Sequence, residues 1–147
     1  MINLMKSLAL TVAVLLTTSS AANAWYSTGA NPTSIGTINV VLEDGAKDAC
    51  WTNLREVREY AEEKLKIKGY NAVAEKGDGY TFEISVDAFR SDAGTCIGHY
   101  ATTIWASNYR NGIFGVHEIG NRGSFGTNPN NFNTWVINLI SKMIAEM

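Results

Sequence analysis

Proline and cysteine are scarce in this 147-residue chain, which holds two of each. With so little proline and no low-complexity tract, a largely disordered or linker-like protein is excluded. The two cysteines do not form a Cys-x-x-Cys, the spacing that lowers a thiol pKa and marks a redox motif. A surplus of positive charge is also missing. Lys and Arg total 12 against 14 Asp and Glu, for a net charge of −2. A nucleic-acid binder needs a basic face to displace counterions from phosphates, so that class is disfavoured. No block of like charges stands out, and no internal repeat is present. The most extended apolar run, Leu8 to Leu16 broken only by Thr11, is too short to span a bilayer.

That run makes sense as part of a secretory signal. Lys6 supplies a positive start, and Ala22-Asn23-Ala24 places small residues where a signal peptidase reads, so cleavage is expected after Ala24. No cysteine lies near the cut, and no lipid anchor is expected. Residues 1–24 therefore predict a protein that is periplasmic or secreted and soluble, with no membrane span once the signal is removed. Residues 25–36, rich in Ser, Thr, Gly and Asn, read as a flexible leader, with Trp25-Tyr26 as a segment that packs back or acts as a contact arm. Residues 37–147 read as a single domain, long enough for a core of its own. In an oxidising compartment, Cys50 and Cys96 are most simply one disulfide. Closing a loop of roughly 45 residues contributes about 3–4 kcal/mol in the chain-entropy account.

Thr37 to Glu43 is β-branched and mostly apolar and predicts a buried strand. A helix is expected over about 47–68, capped by Asp44 or Asp48 and ended by Gly69. Its apolar stripe is Cys50, Leu54, Val57, Ala61 and Leu65, widened by Trp51, with a mostly charged opposite side. Asn71 to Glu75 reads as a short strand, and Gly77-Asp78-Gly79 as a turn. Tyr80 to Phe89 alternates, with Phe82, Ile84, Val86 and Ala88 on one face and Glu83, Ser85 and Asp87 on the other. Ile97 to Ala106 and Ile113 to Ile119 read as two further strands around a turn from Asn108 to Gly112, ending Asn111-Gly112. Gly120 to Gly126 reads as a glycine-rich loop, and a final helix is expected from about Asn130 to Ala145. Its apolar face is Phe132, Trp135, Val136, Leu139, Ile140 and Met143.

Pairing Arg90 with Ile97 and Ala106 with Ile113 sets the registers of the two hairpins. Phe82, Ile84, Val86, Ala88, Ala101, Trp105, Phe114 and Val116 then share an apolar face. Glu83, Ser85, Asp87, Tyr100, Thr102, Ile104 and His117 share the opposite, mainly polar face. The expected fold is α+β: a two-layer sandwich with a mainly antiparallel sheet and two helices on one face, in the order β-α-β-β-β-β-α. Trp51, Trp105 and Trp135 are expected in the core.

The polar face offers the first candidate site. In this register Ser85, Thr102 and His117 form one row, and Asp87, Tyr100 and Ile119 the next. A histidine near a carboxylate and hydroxyls is material for acid–base or nucleophilic work. A flat, wet sheet face is poor ground for catalysis, and the same face with Phe89 and Ile104 reads better as a docking surface. The loop with Arg122 and Phe125, running towards a helix N-terminus, is a second candidate, although it lacks the ending of a phosphate-binding loop. Asp87, Tyr100, Thr102, His117, Arg122 and Phe125 are therefore the candidate partner-binding residues. No metal is expected: His99 and Glu118 fall on the inward face, whereas His117, adjacent to Glu118, points to the other. No cofactor is expected either.

Lys68-Gly69-Tyr70 at a helix end, a short strand, Tyr80-Thr-Phe-Glu-Ile-Ser-Val, two more strands and a C-terminal helix form a recognisable series. Over about residues 37–145 it resembles small bacterial envelope domains of the curli-secretion-channel and penicillin-binding-protein-activator kind. The resemblance implies a periplasmic accessory domain that works by contacting another envelope protein, without catalysis. The missing lipidation cysteine and the extra disulfide depart from that pattern. The sequence therefore points to a non-enzymatic adaptor. An inhibitor or immunity protein against an exported toxin or hydrolase is the alternative, and a small-ligand binder or enzyme using the polar face is a further one.

Overall fold

The computed structural model describes residues 30–73 and 79–147. The expected signal peptide, Trp25-Tyr26 and most of the Gly77-Asp78-Gly79 turn lie outside them. The alternating segment becomes β3 (Tyr80–Arg90), the middle strand of a five-stranded sheet ordered β2-β1-β3-β4-β5. Its Phe82, Ile84 and Val86 are fully buried, so the apolar half of the alternation does point into the core. The buried strand predicted from Thr37 is β1 (Thr37–Asp44), which lies parallel to β3 on one side and to β2 (Asn71–Val73) on the other. β4 (Cys96–Arg110) and β5 (Ile113–Asn128) add antiparallel pairings, so the sheet is mixed.

Two long helices cover one face. α2 (Leu54–Ile67) presents Val57, Ala61 and Leu65 of the predicted stripe, all fully buried, while Leu54 is half-buried and Cys50 and Trp51 precede the helix. Each such Val or Leu stabilises the fold by about 1.5–3 kcal/mol. α3 (Asn133–Ala145) buries Val136, Ile140, Met143 and Ile144. The α+β order read from sequence is thus present, preceded by a short α1 (Pro32–Ile35). α1 lies within the predicted leader. Asn31 and Ser34 cap it reciprocally, and Ile35 is buried.

α2 starts later than its sequence suggests, and neither Asp44 nor Asp48 caps it. Asp44 ends β1, its carboxylate accepting from the Ala46 amide. The Gly45 and Lys47 amides then donate to Val86 and Ala88, so the chain stays along β3. Asp48 and Ala49 take positive φ angles of 54° and 55° in a tight turn, closed by the Cys50 amide on the Lys47 carbonyl. Cys50 sits in this corner, before the helix, and is bonded to Cys96 with the Cα atoms 5.6 Å apart. The corner is tied to the end of the chain as well. The Phe132 amide donates to the Cys50 carbonyl at 2.7 Å, and Asn133 exchanges two hydrogen bonds with Thr52.

The two hairpins differ from their predicted registers. Arg90 pairs with Cys96, one residue from the expected Ile97. A one-residue slip turns every side chain of a strand over. Gly98, Tyr100, Thr102 and Ile104 therefore face the helices, and His99, Ala101, Thr103 and Trp105 face away. Trp105 is not in the core; its indole donates to Glu83 at 3.0 Å on the open face. The second hairpin turns tightly at Asn111 and Gly112, both at positive φ (52° and 80°), and Arg110 pairs with Ile113. Asn-Gly suits the two-residue turn that follows the strand twist.

The glycine-rich segment Gly120–Gly126 is not a loop; it is the second half of β5. Its glycines make room for rings. A Cβ on Gly126 would stand 2.8 Å from Trp135, and one on Gly98 would stand 2.7 Å from Phe132. α3 thus lies close on the sheet because β4 and β5 lack side chains where its aromatics rest. A bulge interrupts β5: Ile104 pairs with Gly120 and Trp105 with Glu118, leaving Ile119 as the extra residue. Beyond the β3 pairing at Thr81 and Trp105, β4 and β5 run on as a two-stranded arm.

Candidate functional site

The predicted site residues fall in four places. Tyr100 and Thr102, expected on the polar face, are buried on the helix side, at 1% and 0% exposure. Ile104, also expected there, is fully buried too. The physical reason is the one-residue register difference at Arg90. Their hydroxyls, Tyr100 Oη and Thr102 Oγ1, hydrogen-bond each other across the two-residue step of β4. Burial holds the Tyr100 phenol well above its ordinary pKa, with the Thr102 bond opposing. Trp135 meets the Tyr100 ring edge-on at a centroid distance of 6.2 Å. The pair belongs to the core.

Arg122 lies on the helix side at the sheet edge, where its guanidinium pairs with the Glu146 carboxylate. With Tyr100, Ser124, Leu139, Lys142 and Met143 it lines a cleft of about 130 Å3 beneath the end of α3. His117 is exposed and lies on the arm, opposite Ala106. The row Ser85, Thr102 and His117 is therefore not assembled. Ser85 pairs with Ala101, Thr102 with Ile84, and His117 with Ala106. His99, expected inward, is exposed on the open face, and Glu118 is exposed beside Trp105. Among the described residues, no three His, Cys, Asp or Glu side chains come together as metal ligands.

The open face does collect a constellation. Asp87, His99 and Phe125 lie in register across β3, β4 and β5, and Phe89, Ile97 and Thr127 form the next row. Phe89 and Phe125 are 53% and 70% exposed, unusual for phenylalanine. With Gly45, Lys47, Asp87, Ile97 and His99 they border a shallow depression of about 340 Å3. Glycines leave room for the polar groups. A Cβ on Gly45 would stand 1.9 Å from Asp87 Oδ1, and one on Gly123 would stand 2.6 Å from His99 Nε2. The carboxylate and the imidazole each lie against bare backbone on the neighbouring strand. Such a surface offers two aromatic anchors, an acceptor, a titratable ring and a lysine, without an enclosing wall. That suits recognition of another surface.

Sequence reasoning named Asp87, Phe89 and Phe125, placed His99 on the wrong face and did not single out Lys47. The missing signal was available: a disulfide to Cys50, on the helix layer, requires Cys96 to point inward. Period two then sends His99 outward and Tyr100 inward.

No protein-family model matches the chain, and no curated protein sequence matches it. Among solved structures, the chain is similar to PelC from Paraburkholderia phytofirmans, seen as a dodecamer in two crystal forms. One, of a single-substitution variant, shows 15% identity and a TM-score of 0.41. The other shows 14% identity and a TM-score of 0.42. Each likeness covers 76% of this chain and 86% of PelC. Among the described residues, no helix is long and apolar enough to cross a membrane.

Proposed function

We propose that this chain is an exported, non-enzymatic accessory protein that binds another protein of the cell envelope through the open sheet face around Asp87, His99 and Phe125. The observation that carries this reading is the pair of exposed phenylalanines flanking a shallow depression whose carboxylate and imidazole lie against glycines. Aromatic side chains that a partner can bury, ringed by contacts that exclude water, are the usual composition of a binding hot spot. Export is supported by the signal-like residues 1–24 and by the buried Cys50–Cys96 bridge, which persists only in an oxidising compartment. An adaptor without catalysis is supported by the openness of the depression, since catalytic sites exclude water from a concave pocket. The carboxylates of Glu43, Glu83 and Asp87 share this face with Lys47, so the partner's matching surface carries a basic residue as well as an apolar groove.

The test compares the wild-type protein with an F89S/F125S variant as baits for native envelope extract, with mass spectrometry of what is retained. The expected result is one stoichiometric envelope protein on the wild type, weakened about tenfold or more on the variant, with unchanged thermal unfolding of the bait. Equal retention by both baits overturns the assignment of this face. A toxin or hydrolase as the retained species replaces the adaptor by an inhibitor.

A further inference from the structure

β5 is the long free edge of the sheet, 16 residues with no lysine and no proline to blunt it. A long edge is a template for another strand, and here only Glu118, Arg122 and the Ile119 bulge interrupt it. Among the described residues, six large hydrophobic side chains are conspicuously exposed, and four of them are on this strand: Ile113 (72%), Phe114 (65%), Val116 (59%) and Phe125 (70%). We propose that β5 pairs antiparallel with β5 of a second copy of this chain, about a twofold axis at the Ile119 bulge.

The bulge makes the strand self-complementary. In an unbroken strand Phe114 and Phe125, eleven positions apart, would point to opposite faces. The extra residue shifts the alternation, so Phe114, Val116 and Glu118 share the open face with Asn121, Gly123 and Phe125. Place Ile119 of one copy opposite Gly120 of the other. Phe114 then lies beside Phe125 of the second copy, Val116 over its Gly123, and Glu118 beside its Asn121. On the helix side, Ile113 meets Gly126 of the second copy, over which Trp135 is laid. Every open-face residue meets an open-face residue, and each large apolar side chain meets a ring or a glycine.

The area is sufficient. Covering four side chains exposed to this degree removes roughly 100 Å2 each from water. Two copies together remove roughly 800 Å2 of apolar surface before the edge backbone is added. The total reaches the lower range of specific interfaces, roughly 1,200 Å2. The product is a ten-stranded sheet with both Asp87–His99–Phe125 rows on one continuous face. The proposal shares Phe125 with the partner-binding reading, and Phe114, which does not line that depression, separates the two.

The experiment measures mass by sedimentation over a range of concentrations, using the oxidised full-length exported protein. A second arm mixes F114C and F125C variants under mild oxidation. The expected results are a concentration-dependent doubling of mass, a dissociation constant raised about tenfold or more by F114D, and a disulfide-linked dimer in the mixture but not from F114C alone. Phe114 is exposed in the single chain, so F114D should keep the unfolding temperature that the wild type has at concentrations where it is monomeric, which is measured alongside. A monomer at every concentration, a closed ring larger than a dimer, or no cross-link in the mixture overturns the proposal.

Discussion

Among the described residues Tyr100 is the largest fully buried side chain, and its hydroxyl bonds Thr102. Replacing it by phenylalanine keeps the ring against Trp135 but leaves the Thr102 hydroxyl buried without this partner. The expected cost is about 1–3 kcal/mol, the desolvation penalty of an orphaned polar group. Thr102→Val costs a similar amount for the mirror reason. The double variant removes donor and acceptor together, so it should be far less damaging than the two single costs combined. Stability measured by denaturant titration gives the coupling directly. The titration behaviour supplies an independent check. Burial raises the folded-state pKa of Tyr100 above that of the unfolded chain. The contribution is therefore fully present below the ordinary tyrosine pKa of about 10 and is lost as pH rises above it, at up to about 1.4 kcal/mol per unit. Tyr100→Phe should flatten this alkaline decline by one proton. Additive single costs with no coupling, or an alkaline limb identical in wild type and variant, would refute the burial of this pair and restore Tyr100 to the open face.

Removing the bridge by C50A/C96A should cost about 4 kcal/mol, from reopening a loop of 46 residues, read as a lower denaturation midpoint under non-reducing conditions. Gly98→Ala should destabilise by more than about 1 kcal/mol, because the new methyl would stand 2.4 Å from the Asp87 carbonyl and 2.7 Å from Phe132. Wild-type stability of that variant would show that α3 does not lie on β4 as described.

Where an element's buried side is cleanly apolar, its sequence revealed the arrangement. The spacing of Val57, Ala61 and Leu65 gave the helix face, and the alternation of Phe82, Ile84 and Val86 gave the core side of β3. The Cys50–Cys96 pairing followed from compartment and number. β4 was harder to read because neither of its alternating sets is cleanly apolar: Gly98, Tyr100, Thr102 and Ile104 compete with Ile97, His99, Ala101, Thr103 and Trp105. The choice between them turned on one residue in the guessed connection, and that single step moved Tyr100 and Thr102 from surface to core. The glycines of β5 misled for a different reason. Glycine punctuates loops far more often than it lines a strand, and its purpose here lies in residues nine positions away or on another strand. Only the packed structure shows that Trp135 needs Gly126 and that His99 needs Gly123. The parallel pairing of β1 with β3 had no local signal, since it joins segments with a helix and a strand between them.

The corner at Cys50 also determines when the molecule can close. Its partners are Cys96, 46 residues downstream, and Phe132 and Asn133, more than 80 residues away by the Thr52–Asn133 bonds. Contacts of such separation pay their loop-closure entropy before they return any stability. Two residues of the corner, Asp48 and Ala49, also hold backbone angles that non-glycine residues avoid, so the turn has little tendency to form in isolation. The N-terminal third of the chain therefore waits for its last helix. In kinetic terms the oxidised chain, with the 46-residue loop already shut, should refold faster than the reduced one, and the interval between them is the time the two ends of the sequence need to find each other.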